Sequence, residues 1–281
     1  MTNTGGRAAG RVAFITGAAR GQGREHAVRL AEEGADIIAV DVCGDIEGVG
    51  YPGATEADLE ETAALVEKLD RRIVAEKADV RDLEGLGAAL QRGVDELGRP
   101  DVVVTNAGIS GVPSPAASVD ETDWQTMLDI NLTGVMHTVK VALPHMSDGR
   151  GGSIILVSSM LGLRGGGYMS AYASAKHALV GLKNSLANEF APQWIRVNSI
   201  HPGNIRTPML DNEWFRRTLR PDLAEPTMDD AAAVIGHFHM LPAPLIEARA
   251  VADAVLFLAS DESKYITGAA LPIDAGAVAK F

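Results

Sequence analysis

The chain of 281 residues has a single cysteine, Cys43, which excludes an intrachain disulfide and a cysteine-built metal cluster. That usage suits a reducing compartment, and a cytoplasmic location is expected. Positive charge is in deficit: 25 basic residues face 37 acidic ones, a formal net charge of −12. Such a balance argues against a surface for nucleic acid or anionic membrane. No apolar run approaches the ~20 residues of a spanning helix. Met1 to Gly10 lacks the apolar stretch of a signal peptide, and its Gly, Thr, Asn and Ala content predicts a frayed, disordered start. The seven histidines are scattered. His237 and His239, two apart, would face different sides of a helix, so no metal site is expected.

Short apolar runs alternate with amphipathic stretches, the pattern of a parallel sheet covered by helices. Strands are expected at Val12–Thr16, Asp36–Val40, Arg72–Ala75, Val102–Val104, Ser153–Val157, Arg196–Ile200 and Ala270–Ile273. Their Val, Ile and Leu content fits burial on both faces. Helices are expected at Gly23–Glu33, Glu56–Asp70, Leu83–Leu97, Thr122–Met146, Tyr172–Phe190 and Arg249–Ala259, with Asp82 as an N-cap. No repeat or interdomain linker interrupts the chain, so residues 11–281 read as one α/β domain. Val42–Thr55, rich in Gly, Pro and acid, delays the return to the sheet. Pro208–Leu245, within a lid over 208–245, carries helix-like pieces of its own, and long insertions of this kind are often lids or binding loops.

Directly after the first strand, Thr16-Gly17-Ala18-Ala19-Arg20-Gly21-Gln22-Gly23 opens into a helix. Glycines there permit a tight turn and close approach of a pyrophosphate to the helix N-terminus. The spacing Gly-x-x-x-Gly-x-Gly differs from the general dinucleotide fingerprint. Asp41, ending the second strand, can accept hydrogen bonds from ribose hydroxyls and would repel a 2'-phosphate, which favours NAD over NADP. Arg20 is a counter-signal, and Val42 offers no phosphate-binding cation.

Tyr172 and Lys176 stand at i and i+4 of a predicted helix, and Ser159 lies thirteen residues before the tyrosine. A free phenol titrates near ~10. A cation at about 4 Å in an effective dielectric of roughly 20 favours the phenolate by about 4 kcal/mol, before desolvation is subtracted. Tyr172 is therefore expected to work near neutrality as both acid and base. Of Ser158 and Ser159, only one can face the substrate from a strand end. Tyr168 is read as either a pocket wall or a packing residue, and the three tryptophans as packing residues, with Trp214 kept as a lid residue. His201, before the Pro202-Gly203 turn, is read as either structural or approaching the nicotinamide side.

The order of these motifs, with Asp79-Val80, Asn106-Ala107-Gly108, Asn131 and Pro202-Gly203 before Thr207, resembles the short-chain dehydrogenase/reductase family from about Arg11 to Gly276. Within it the chain is similar to the mycofactocin-associated, carveol dehydrogenase-like subgroup. The similarity lies in Gly17–Gly23, Asp41-Val42-Cys43 and the acidic insertion, Arg220–Leu223, and Leu271–Gly276. The resemblance implies a doubly wound Rossmann fold with a seven-stranded parallel sheet in the order 3-2-1-4-5-6-7 and a helical substrate lid. It implies that Asn131, Ser159, Tyr172 and Lys176 are catalytic, Asn131 kinking its helix and placing a water beside Lys176. NAD would be held by Gly17, Arg20, Gly21, Gln22, Gly23, Asp41, Val42, Asp79, Val80, Asn106, Ala107, Gly108, Tyr172, Lys176, Pro202, Gly203, Ile205 and Thr207.

Two departures from the family pattern stand out: Thr105 in place of an asparagine and Ala275 in place of a glycine. The implied activity is oxidation of a secondary alcohol, or the reverse reduction, by a homotetramer. An apolar, carveol-like substrate is expected from Met209, Leu210, Trp214, Phe215, Phe238 and Met240. The subgroup further implies NAD that stays bound and is re-oxidised by mycofactocin, with Val42–Thr55 closing the exit. An ordinary NAD-exchanging ketone reductase or hydroxysteroid-type dehydrogenase, and a non-catalytic NAD sensor, remain open alternatives.

Overall fold

The computed structural model describes residues 6–280. Alternation begins with β1 (Val12–Thr16), α1 (Gly21–Glu32), β2 (Asp36–Asp41), α2 (Glu56–Glu67), β3 (Ile73–Lys77) and α3 (Leu83–Leu97). It continues through β4 (Val102–Thr105), α4 (Glu121–Leu128), α5 (Gly134–Met146), β5 (Gly152–Val157), α6 (Ser170–Phe190) and β6 (Ile195–Pro202). The last part holds β7 (Ile205–Arg206), α7 (Glu213–Leu219), α8 (Met228–Ile235), β8 (Ile246–Glu247), α9 (Ala248–Ala259) and β9 (Ala270–Ile273).

Seven strands form one parallel sheet in the order β3-β2-β1-β4-β5-β6-β9. This is the doubly wound arrangement the motifs imply; the two-residue strands β7 and β8 pair only with each other, a feature the sequence did not disclose. Because side chains alternate along a strand, β1 sends Ala13 and Ile15 to one core and Val12 and Phe14 to the other. Helices α1 and α9 pack together over the first face, and α3 and α5 over the second. Helix α3 starts where Asp82 accepts the Gly85 N–H at 3.1 Å, and its leucine spacing buries Leu86, Leu90 and Leu97. Helix α2 starts on a reciprocal cap between Thr55 and Asp58, which closes the Val42–Thr55 insertion.

Two expectations need correction. Met1–Gly5 lie outside the described residues, but the frayed start does not extend over Arg7–Gly10. Ala8 is fully buried, its N–H donates to the Glu33 carbonyl at 3.0 Å, and the Arg7 guanidinium pairs with the Glu33 carboxylate at 3.2 Å. The expected Thr122–Met146 helix carries a π turn over Asp129–Thr133, centred on Asn131, where the resemblance implies a kink. Trp194 is 63% exposed, its ring 6.5 Å from that of Tyr265, so it does not pack in a core.

His26 of α1 is fully buried, and neither ring nitrogen has a partner. Burial pushes its pKa down to about 3. The unfolded chain therefore binds a proton near pH 6.5 that the folded chain refuses until about pH 3. The stability this group contributes is present above about pH 6.5 and is lost as pH falls, by on the order of 5 kcal/mol in all. Urea unfolding of His26→Leu should show a flatter decline of stability with falling pH than the parent; equal slopes would refute this.

Candidate functional site

Three strand ends and one helix start build a cleft of about 1020 Å³, counting space open to solvent. Leaving β1, Gly17 adopts φ +68°, and a Cβ there would lie 2.7 Å from the Ala107 Cα. A Cβ on Gly23 would stand 2.0 Å from the Gly17 carbonyl oxygen. The turn is thus as tight as backbone allows. The Asn106 amide clamps it from β4, donating to the carbonyls of Thr16 at 3.1 Å and Gly17 at 2.9 Å. No side chain caps α1, so its first amides are left for an anion. The Gln22 side-chain oxygen, buried in the same turn, finds no partner in the protein.

At the end of β2, Asp41 is held by the backbone N–H groups of Ala19 and Cys43, at 3.0 and 3.1 Å on different oxygens. Each oxygen keeps a lone pair for a hydroxyl donor. Val42, Asp79, Val80, Ala107, Gly108 and Thr207 complete the wall with Arg20, Gly21 and Asn106. Six expected contacts, Tyr172 and Lys176 among them, do not line the cleft. Ile205 is buried in the core, Pro202 is buried at the end of β6, and Gly203 packs on Asp274 of the chain after β9. Gly23 serves the turn by packing and does not line the cleft.

The insertion closes over this cleft. Ile46, Val49 and Tyr51 line it. Tyr51 accepts the Ser110 N–H at 3.3 Å, Arg20 donates to the Pro52 carbonyl, and Gly53 donates to Asp45 at 2.7 Å. Trp214 lies against Gly50, where a Cβ would be 2.6 Å from the indole, so lid and insertion meet.

Ser159, Tyr172 and Lys176 converge where β5 ends. The Ser159 side chain favours the Tyr172 phenolate, and the Lys176 ammonium lies 5.7 Å from the centre of the Tyr172 ring. That ammonium donates to the Val157 carbonyl at 3.0 Å and sits under Gly108, where a Cβ would lie 3.3 Å away. Ser158 turns the other way, donating to the Lys176 carbonyl at 2.9 Å and tying α6 to the sheet. Asn131, fully buried in the π turn, exchanges hydrogen bonds with the Ile109 N–H at 3.2 Å and carbonyl at 3.1 Å.

The electrostatics differ from the sequence expectation. Burial pushes the Tyr172 phenol up to about 12, against the opposing influence of the Ser159 side chain, and the Tyr51 phenol adds to the rise. Burial also pushes Lys176 down to about 8. Desolvation of both charged forms outweighs their attraction, so the protein alone keeps the phenol protonated at neutral pH.

Beside Tyr172 opens a second cavity, walled by Ile109, Val112, Pro113, Met127, Tyr168 and Met169. Ile109 is common to both cavities. Tyr168 is 67% exposed with φ +63°, and its carbonyl accepts the Ser114 N–H at 2.9 Å, so it is a wall and not core packing. Leu210, Trp214, Phe215, Phe238 and Met240 line neither cavity, while Met209 lines the nucleotide cleft. Val112, Pro113, Met127 and Met169 escaped sequence reading. Only their closeness in the chain to Asn106–Gly108, Asn131 and Tyr172 could have pointed to them. Glu47, Asp120 and Asp123 stand on this wall, which carries no lysine, arginine or histidine among the described residues.

Both departures from the family pattern leave marks. The Thr105 hydroxyl is buried without a partner. Ala275 is held at φ +51°, where glycine is favoured, and its carbonyl accepts the Met240 and Leu241 N–H groups.

Residues 11–217 match the family model for short chain dehydrogenase. The (−)-trans-carveol dehydrogenase of Rhodococcus erythropolis is 52% identical over 275 residues, covering 98% of this chain and 99% of that protein. Carveol dehydrogenase from Mycobacterium avium, solved in complex with NAD, aligns with a TM-score of 0.96 at 52% identity, over 98% of this chain and 100% of that one. A short chain dehydrogenase from Mycobacterium paratuberculosis, bound to NAD, aligns at 0.89 and 43% identity over 98% and 100%. With its sheet order, its glycine turn and its serine, tyrosine and lysine at the end of β5, the chain belongs to the short-chain dehydrogenase family of oxidoreductases.

Proposed function

We propose that this enzyme interconverts a neutral, apolar secondary alcohol of the carveol kind and its ketone, with NAD as the hydride carrier. One observation carries the reading: Tyr172 lines a cavity whose wall includes Ile109, Val112, Pro113, Met127 and Met169, and that cavity adjoins the nucleotide cleft at Ile109. NAD fits the cleft through the Asp41 carboxylate for the ribose hydroxyls, the uncapped start of α1 for the pyrophosphate and the unpaired Gln22 side-chain oxygen. Nicotinamide supplies the hydride chemistry when bound. Tyr172 takes the hydroxyl proton during oxidation and returns it during reduction. Ser159 donates its O–H to the substrate oxygen. Lys176 carries the positive charge that favours phenolate, and Asn131 holds the Gly108–Ile109 backbone between the two cavities.

The three carboxylates on the substrate wall exclude anions by repulsion. One assay with NAD-loaded protein and an artificial electron acceptor tests both statements. Neutral cyclic secondary alcohols should turn over, the same ring bearing a carboxylate should not, and Tyr172→Phe should lose about 10²–10⁴-fold in turnover with NAD binding intact. Undiminished turnover by Tyr172→Phe, or preference for the carboxylate, would overturn the assignment.

A finer reading concerns the cofactor's fate: NAD stays in the protein and is re-oxidised in place by mycofactocin. The braced insertion supports this, because Tyr51, Arg20 and Trp214 each hold it down over the cleft. Protein purified without added cofactor should retain NAD through extensive dialysis, whereas rapid equilibration with labelled NAD would leave the enzyme an ordinary NAD-exchanging reductase. A homotetramer in the cytoplasm, with α4, α5 and α6 at one interface, completes the proposal. Among the described residues no helix is long and apolar enough to cross a membrane, and a solution mass other than four times 29.5 kDa would exclude the tetramer.

A further inference from the structure

The β5–β6 ladder runs out just before the site. Its last bond takes the Ser158 N–H to the Ile200 carbonyl at 2.9 Å. Ser159 has left the sheet, so no strand holds its carbonyl. A side chain takes over there. His201, on β6 and fully buried, places Nδ1 2.9 Å from the Ser159 carbonyl oxygen. Its Nε2 lies 2.8 Å from the Ser199 hydroxyl, two residues back on the same face of the strand.

These contacts decide the tautomer. A carbonyl can only accept, so Nδ1 must carry the proton, and bare Nε2 must accept from the Ser199 O–H. The Gly162 N–H reaches the same Ser159 carbonyl at 2.8 Å. The Ser159 Oγ accepts the Leu161 N–H at 3.1 Å. With one lone pair engaged, the Ser159 hydroxyl keeps its O–H and a second lone pair to face the site. Burial holds the His201 ring down to about 4, so it is neutral throughout the working range.

We infer that His201 is a positioning residue: its Nδ1–H aims the Ser159 hydroxyl at the reacting oxygen by fixing the Ser159 backbone where the sheet stops. This rests on the role proposed above for Ser159. Asparagine places its amide nitrogen where Nδ1 stands, whereas glutamine places it nearer Nε2. His201→Asn should therefore keep turnover close to that of the parent. His201→Gln and His201→Leu should lose about tenfold to a hundredfold in kcat, with little change in KM and with NAD still retained. Combined with Ser159→Ala, His201→Leu should add no further loss, because both changes remove the same function.

The outcomes separate the two assignments. If Ser159→Ala leaves turnover intact, the role of Ser159 falls and this inference falls with it. If Ser159→Ala is impaired while His201→Leu keeps full turnover, or its loss adds to that of Ser159→Ala, the inference alone is overturned. Nitrogen-15 NMR of the histidine-labelled parent decides the matter without a variant that must fold. Protonated Nδ1 and bare Nε2 at neutral pH are expected, and a proton on Nε2 would overturn the inference.

Discussion

Parallel pairing of β4, β5 and β6 brings Thr105, Val157 and Pro202 to a common edge of the sheet, and the chain must leave that edge through turns. Backbone groups there lose their strand partners, and buried groups of that kind need others. Side chains supply them: Asn106 for Thr16 and Gly17, Asn131 for Ile109, Lys176 for Val157 and His201 for Ser159. The same substitutes that satisfy the frayed edge also position the reactive groups. The doubly wound order sets where the edge lies, and these four polar side chains set its shape.

Burial imposes the second constraint. Phenolate and ammonium are both penalised by loss of water, which is why Tyr172 and Lys176 shift toward their neutral forms. A phenol of this kind holds its proton at neutral pH and is not poised to act as a base. Under the proposed function, the positive charge of oxidised nicotinamide supplies what Lys176 alone does not. The acid–base group would then be tuned by the cofactor's redox state, and only a loaded site would be poised for oxidation.

Much of this was legible in the chain. The seven sheet strands follow the apolar runs because strands buried on both faces need continuous Val, Ile and Leu. The Tyr172–Lys176 spacing announces its geometry because a helix turn is a fixed repeat. Less legible were the features that depend on what lies across space. The walls of the second cavity come from the segments after β4 and β5 and from α4, and the lid's apolar residues fall elsewhere. Trp214 braces the insertion through Gly50, a contact no periodicity encodes. Ala275 reads as a mild replacement, yet its backbone is one that glycine suits better.

Local pattern alone determined the alternation of strands and helices, the place of the glycine turn and the pairing of Tyr172 with Lys176, since each rests on neighbours within a turn or a strand. Tertiary structure alone decided the protonation of the phenol, the tautomer of His201 and the shape and charge of the substrate wall. Those quantities depend on desolvation and on partners far apart in the chain, which only packing brings together.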